Sequence, residues 1–463
     1  MTTPAILNSL QALLEKEIKE NDVPGATLAV LYKDKTYTAA AGILNIETKV
    51  EADQDSIFQI GSITKVLTAT LIMQLADEGK LDLDKPIQTY LPEFTVEDKN
   101  AGKNITARHL LTHSSGIDGD FFVEADYGRD KLERYVEKCT LLPQIHPVGQ
   151  ATSYCNSGFN IAGRIVEVLT GLTWEEAMYE RILKPLGMDH AVLRAEDTLK
   201  LRTAIGHVPL PDQDPNKKKT FIHTPMPYLQ SPGAPAGTSA TMTAADLIKF
   251  AKLHLNSGRT DNKTLLSDSG VKAMQNAQYD IPRHAPVNAA HWGLGWMLMD
   301  WNGKRLIGHD GSTVGQNAFL RLIPDQDIAV ALLTNGEGVG KMLYKTMYAK
   351  LLSALADYTM PEDPEPSGLN FDLEPYTGIY ENLLTRYEVT AKNDQLIIKS
   401  NDKIFPEKMC PPATITLSAI EKDCFASPAI GNKSPMLVNF IDKNKNGQSK
   451  YLFCGFRMYK RSL

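Results

Sequence analysis

Near the N-terminus apolar residues fall at Ile6, Leu7, Leu10, Leu13, Leu14 and Ile18 with charges between them, the spacing of an amphipathic helix. The stretch "ATLAVLYKDKTYTAAAGILN" then reads as two strands around a turn at Lys33-Asp34-Lys35. In "DSIFQIGSITKVLTATLIMQLADEGKL", residues 55–81, Val66, Leu67, Leu71, Ile72 and Leu75 return at helical spacing behind Ser62, and Gly79 offers a stop. From about residue 105 to 260 the pattern predicts helices joined by Pro- and Gly-rich loops, among them two helices separated by Gly171. From Trp292 onward, "GWMLMDWNGKRLIGHDG" and "NAFLRLIPDQDIAVALLTNG" read as antiparallel strands, closed by a helix over 340–357. Strands at both ends with helices between them predict an α+β fold, an antiparallel sheet flanked by helices with an all-helical insertion.

At 463 residues the chain is long for a single core, so a second unit is expected. "TMPEDPEPSGLN", residues 359–370, reads as a linker. Beyond it, short β-type runs such as "RYEVTA", "QLIIKS" and "KYLFCGFRMY" alternate with turn residues, predicting a small antiparallel β-barrel over 371–463. The expected division is 1–358, a catalytic unit with its insertion at about 105–260; 359–370, a linker; and 371–463, the barrel.

Composition narrows the function classes. Apolar content of 43% and charged content of 22% are ordinary for a globular protein. A net charge of -6, with only Lys217-Lys218-Lys219 as a basic run, leaves no footprint for nucleic acid. No 18-residue apolar run is present, so no membrane span is expected. The charge-interrupted N-terminus is unlike a signal peptide, and five cysteines without paired metal spacing suggest reduced thiols; a cytoplasmic setting is expected.

Ser-x-x-Lys is a weak motif, and the chain holds three copies: Ser62/Lys65, Ser269/Lys272 and Ser400/Lys403. Only Ser62 follows a glycine and opens an apolar helix, which places Lys65 one turn on and on the same face. Helix N-terminal amides favour developing negative charge there. A desolvated lysine amine can take the serine proton. Taken alone, Ser62 reads equally well as a helix cap.

Two further stretches change that balance: Tyr154-Cys155-Asn156 and His309-Asp310-Gly311. The order Ser-x-x-Lys, Tyr-x-Asn, Lys/His-x-Gly resembles the serine β-lactamase and penicillin-binding-protein superfamily, nearest its class C β-lactamase branch with esterase and D-aminopeptidase relatives. "HLLTHSSGI", "RILKPLGM" and "TMTAADLIKFAKLHL" resemble that family's recurring stretches. "YTGIYEN" and "FCGFRMYKR" resemble the first and last strands of the lipocalin-like domain appended to some members. The resemblance implies Ser62 as nucleophile, Lys65 and Tyr154 sharing the base work, and Asn156 holding Lys65 and a substrate amide. It also implies His309, Gly311 and Ser312 at the substrate strand, with the Ser62 and Ser312 amides as oxyanion hole. Tyr380-Glu381-Asn382 and His291-Trp292-Gly293 fit the same short patterns but lie past the linker or carry a bulky tryptophan. Cys155 reads as a buried structural thiol. His109, His113 and His309 lack metal spacing, and neither a metal nor another cofactor is expected.

The family's β-lactamases carry a lysine at the position of His309. A neutral imidazole beside Asp310 is a poor receiver for a carboxylate, so weak β-lactam cleavage is expected. The resulting reading is a serine hydrolase or acyltransferase acting on esters or small amides, D-amino-acid peptides included, with a small molecule or short peptide as substrate. The alternatives are a peptide cyclase or transacylase using an amine acceptor, and an acylated sensor without turnover. The loops 118–150 and 205–240, expected to line the pocket, carry no readable code, and oligomeric state stays open, a homo-oligomer included.

Overall fold

The structure is a computed structural model that describes residues 3–123, 128–210, 213, 218–229, 231–369, 371–403, 412–429 and 434–462. Lys217, Asn370 and parts of the two pocket loops lie outside the described residues. Its larger unit is built on one antiparallel sheet. We label its strands β1 (Gly25–Tyr32), β2 (Lys35–Gly42), β3 (Tyr279–Asp280), β4 (Ala289–Trp292), β5 (Met297–Trp301), β6 (Lys304–Thr313), β7 (Gln316–Ile323) and β8 (Ile328–Thr334). Their order is β2-β1-β8-β7-β6-β5-β4-β3, so the first hairpin pairs with the last strand, Ala26 opposite Thr334 and Tyr32 opposite Ile328. Lys33 and Asp34 take φ of +49° and +63°, the left-handed pair of a tight hairpin turn.

Each face of the sheet is covered. Leu28 and Val30 of β1 pack with helix α1 (Leu10–Glu20) and the C-terminal helix α4 (Gly340–Ala356), through Leu14, Met347 and Leu351. Ala29 and Leu31, which alternate with them, pack toward helix α2 (Thr64–Asp77). Every residue of α2 from Thr64 to Leu75 is buried, so it runs through the interior rather than over it. The chain between β2 and β3 supplies α2, α3 (Asn156–Thr170), shorter helices and two small strand pairs, Phe58–Gln59 with Thr241–Met242 and His207–Pro209 with Phe221–His223. No helix among the described residues is long and apolar enough to cross a membrane.

The C-terminal strands form a closed eight-stranded antiparallel barrel: β9 (Gly378–Glu381), β10 (Thr385–Lys392), β11 (Gln395–Asp402), β12 (Ala413–Glu421), β13 (Cys424–Ala426), β14 (Leu437–Lys443), β15 (Ser449–Cys454) and β16 (Arg457–Arg461). It closes through Tyr380 opposite Arg461. Tyr380, Val389, Leu396, Ile398, Leu417, Phe425 and Leu452 fill its interior, so it is packed rather than hollow.

Arg321 on β7 is fully buried, pairs with Asp310 of β6 at 2.6 Å and donates to the Tyr344 hydroxyl of α4 at 3.0 Å. Asp310 thus points to the α4 face of the sheet. Asp310→Asn leaves a guanidinium buried without its counter-charge and is expected to cost about 3–5 kcal/mol. Arg321→Met leaves only a partly solvated carboxylate and should cost less. Urea unfolding of the two variants checks this; equal losses would mean the pair is not what holds Arg321 in the core.

Candidate active site

Ser62 sits in the single turn Gly61–Ile63 that leads directly into α2. Three glycines let neighbouring backbone close around it. Gly61 has φ of +50°, and a Cβ there would lie 2.6 Å from the Ser312 amide nitrogen. A Cβ on Gly311 would lie 1.8 Å from the Ile60 carbonyl oxygen, and one on Gly237 (φ +115°) 2.1 Å from that of Gly61. The missing side chain of Gly311 therefore admits the Ile60 backbone. The Ser312 amide, at the end of β6, is brought beside the Ser62 turn.

Lys65 follows one turn later, fully buried. Its Nζ lies 3.0 Å from Ser62 Oγ and donates to the Ala236 carbonyl at 2.6 Å. Burial holds this amine well below the usual lysine range, and the positive charge of Arg457 lowers it further. The Tyr154 ring lies 4.8 Å from Lys65 Nζ. Its hydroxyl is pushed up by burial and drawn back in part by its hydrogen bond with Ser62 and by Arg457. Half-buried Ser62 therefore meets the buried Lys65 and Tyr154 in one cluster.

Asn156 opens α3 but its Nδ2 donates to Asp120 Oδ1 at 2.6 Å, while Lys65 is satisfied by Ser62 and Ala236. The cap of α3 is Cys155, whose Sγ accepts from the Gly158 amide at 3.2 Å. Burial pushes that thiol up to about 12, which suits a structural role.

Two residues of this cluster carry no signal in the sequence. Asp120 is buried and accepts from Arg457 on both carboxylate oxygens, at 3.1 Å from Nη2 and more closely from Nε. Arg457 belongs to the barrel. It follows the turn Gly455-Phe456, both at positive φ, and its guanidinium lies 5.2 Å from the Tyr154 ring. The Phe456 carbonyl accepts from the Tyr154 amide at 2.8 Å, and the Met458 amide donates to Ser153 Oγ at 3.0 Å. Asp118 accepts from the Leu383 amide of the barrel at 2.8 Å. The tip of the last barrel hairpin is thus built into the wall of the cluster.

His309 lies behind Tyr154, fully buried, with ring centroids 6.2 Å apart. Its Nδ1 donates to the Asp310 carbonyl at 2.6 Å, and burial beside Lys65 lowers it to about 3. His113 packs 4.4 Å from both Tyr154 and Trp292. The other motif copies lie elsewhere: Ser269 on a separate helix, Ser400 and Tyr380 in barrel strands, and His291 paired with Asp280 at an exposed edge. No group of His, Cys, Asp or Glu among the described residues is placed to hold a metal.

A cavity of about 80 Å³ opens on Ser62, Asn156 and Ser312. Phe121, Phe122, Val123, Leu229 and Pro232 give it apolar wall, and Tyr135, Asn160 and Thr238 add polar groups.

Comparison with known proteins agrees with this architecture. The chain is 38% identical to "Penicillin-binding protein 4" of Amycolatopsis lactamdurans over 369 residues, 78% of this chain and 94% of that protein. The crystal structure of SurE superposes with a TM-score of 0.81 at 26% identity, covering 99% of both chains. SurE with D-Leu gives 0.78 at 27% identity over 99% of this chain and 100% of that one. The Beta-lactamase family model matches residues 10–354, and the chain belongs to this family of serine hydrolases.

Proposed function

We propose that the chain forms an acyl-enzyme on Ser62 and acts on esters or small amides, D-configured peptides included. The observation that carries this is the buried Lys65 amine, 3.0 Å from Ser62 Oγ and held below the usual lysine range. Such an amine is unprotonated where an exposed lysine is not, and so can take the serine proton as Oγ attacks a carbonyl. The oxyanion would be received by the Ser62 and Ser312 amides. Tyr154, hydrogen-bonded to Ser62, would pass the proton on to the leaving group. Water then releases the acyl group.

The D-configured substrate is supported by the full-length likeness to a structure holding D-Leu. The name of the Amycolatopsis relative supports a serine that penicillins acylate; with His309 neutral, we expect poor turnover of the adduct. A second reading is an amine acceptor, which would make the site a transacylase or cyclase if water is kept from the acyl-enzyme; the packing of the barrel hairpin against Tyr154 supports it.

Ser62→Ala should abolish covalent labelling by a fluorophosphonate, read by intact mass, together with turnover of p-nitrophenyl esters. Lys65→Ala should slow labelling by about 10²–10⁴-fold. Labelling that survives Ser62→Ala would end the proposal.

The neutral amine is the active form, so the labelling rate should rise with pH through the Lys65 ionisation and level off above it. Arg457→Gln removes a charge that lowers this ionisation, so its rising limb should move to higher pH, while Arg457→Lys should keep it nearer the wild-type position. An unmoved limb in Arg457→Gln would show that the barrel does not act on Lys65.

A further inference from the structure

Asn160 lies one turn beyond Asn156 on α3 and borders the same cavity. Its side chain is only 4% exposed. Its Oδ1 is buried and has no hydrogen-bond partner, whereas Asn156 is committed to Asp120. The rest of the Asn160 amide acts on the neighbouring Tyr135 hydroxyl, which itself donates to the Phe121 carbonyl at 3.3 Å. That leaves Asn160 Oδ1 unpaired, as Thr238 Oγ1 is, in a wall that also carries Phe121, Phe122, Val123, Leu229 and Pro232.

We infer that Asn160 is a specificity-determining residue for the acyl group, its Oδ1 accepting an N–H carried next to the reacting carbonyl. This rests on the acyl-enzyme reading above. The substrate class follows: α-amino-acyl or N-acyl-aminoacyl donors with an apolar side chain. The apolar wall takes the side chain, and the amine or amide N–H meets Asn160. A buried oxygen that finds a donor only when substrate is bound discriminates strongly against an analogue lacking that donor.

The test compares D-leucine methyl ester with methyl 4-methylpentanoate, the same acyl skeleton without the amine. The readout is the ratio of their kcat/KM values. The wild type should prefer the amino ester by about tenfold or more. Asn160→Leu, close in size, should reduce the ratio to near one. Asn160→Asp, which keeps an acceptor oxygen, should retain it within about threefold. Thermal unfolding of both variants checks that each is folded. A wild-type ratio near or below one, or a ratio that Asn160→Leu leaves unchanged, would overturn the inference. Failure of the acyl-enzyme reading is separate: it shows in the wild type as absent fluorophosphonate labelling at Ser62.

Discussion

The site depends on one amine kept out of water. Moving an ammonium into a protein interior costs several kcal/mol even after relaxation, and that burial holds Lys65 well below the usual lysine range. The surrounding structure serves this condition. Interior helix α2 presents Lys65 where solvent does not reach, the Ala236 carbonyl fixes its position, and the aromatic rings of Tyr154 and Phe159 lie 4.8 and 5.8 Å from it. A carboxylate in direct contact would return the proton. The nearest one that acts on Lys65, Asp120, is instead neutralised by Arg457. The same ion pair that anchors the barrel thus keeps a negative charge from re-protonating the amine.

That arrangement explains why the barrel is packed against the cluster and not loosely tethered. Asp120 is held well within the ionised range because Arg457 and Asn156 offset its burial. Its partner comes from a hairpin 337 positions away in sequence. A buried pair of this kind contributes little net stability compared with apolar packing; its value is registry, since it fixes where Phe456 and Arg457 stand relative to Tyr154. The backbone contacts of Phe456 and Met458 on either side repeat the constraint.

What could be read from the sequence follows the range of the interactions involved. Ser62 and Lys65 are one helical turn apart, and their meeting is local geometry. The Lys33-Asp34 turn, the end of α2 before Gly79 and the strands of the C-terminal half came from spacing and alternation for the same reason. Tyr279–Asp280, Phe58–Gln59 and Cys424–Ala426 are two or three residues long, too short for any period to register. Asn156 was expected to hold Lys65; its Nδ2 goes to Asp120, which Arg457 of the other unit fixes, and Lys65 donates to Ser62 and Ala236. Asp120 and Arg457 were illegible: "GIDGDFF" and "FCGFRMY" are ordinary loop and hairpin sequences, and only the folded chain brings them together.

The position of His309 shows how far a motif carries chemistry. Its Nδ1 hydrogen goes to the Asp310 carbonyl, so in the neutral ring Nε2 carries a lone pair. A lysine at this place would be a donor and a charge; the imidazole presents an acceptor and no charge, buried behind Tyr154 rather than bordering the cavity. Asp310 cannot make up the difference, since it faces Arg321 on the opposite side of the sheet. Arg457, from outside the strand that carries the motif, lies 5.2 Å from the Tyr154 ring and lowers Lys65 by its charge. From β6 the cavity is bordered by Ser312 and not by His309, and most of the rest of its wall comes from α3, the 121–123 segment and residues 229–238.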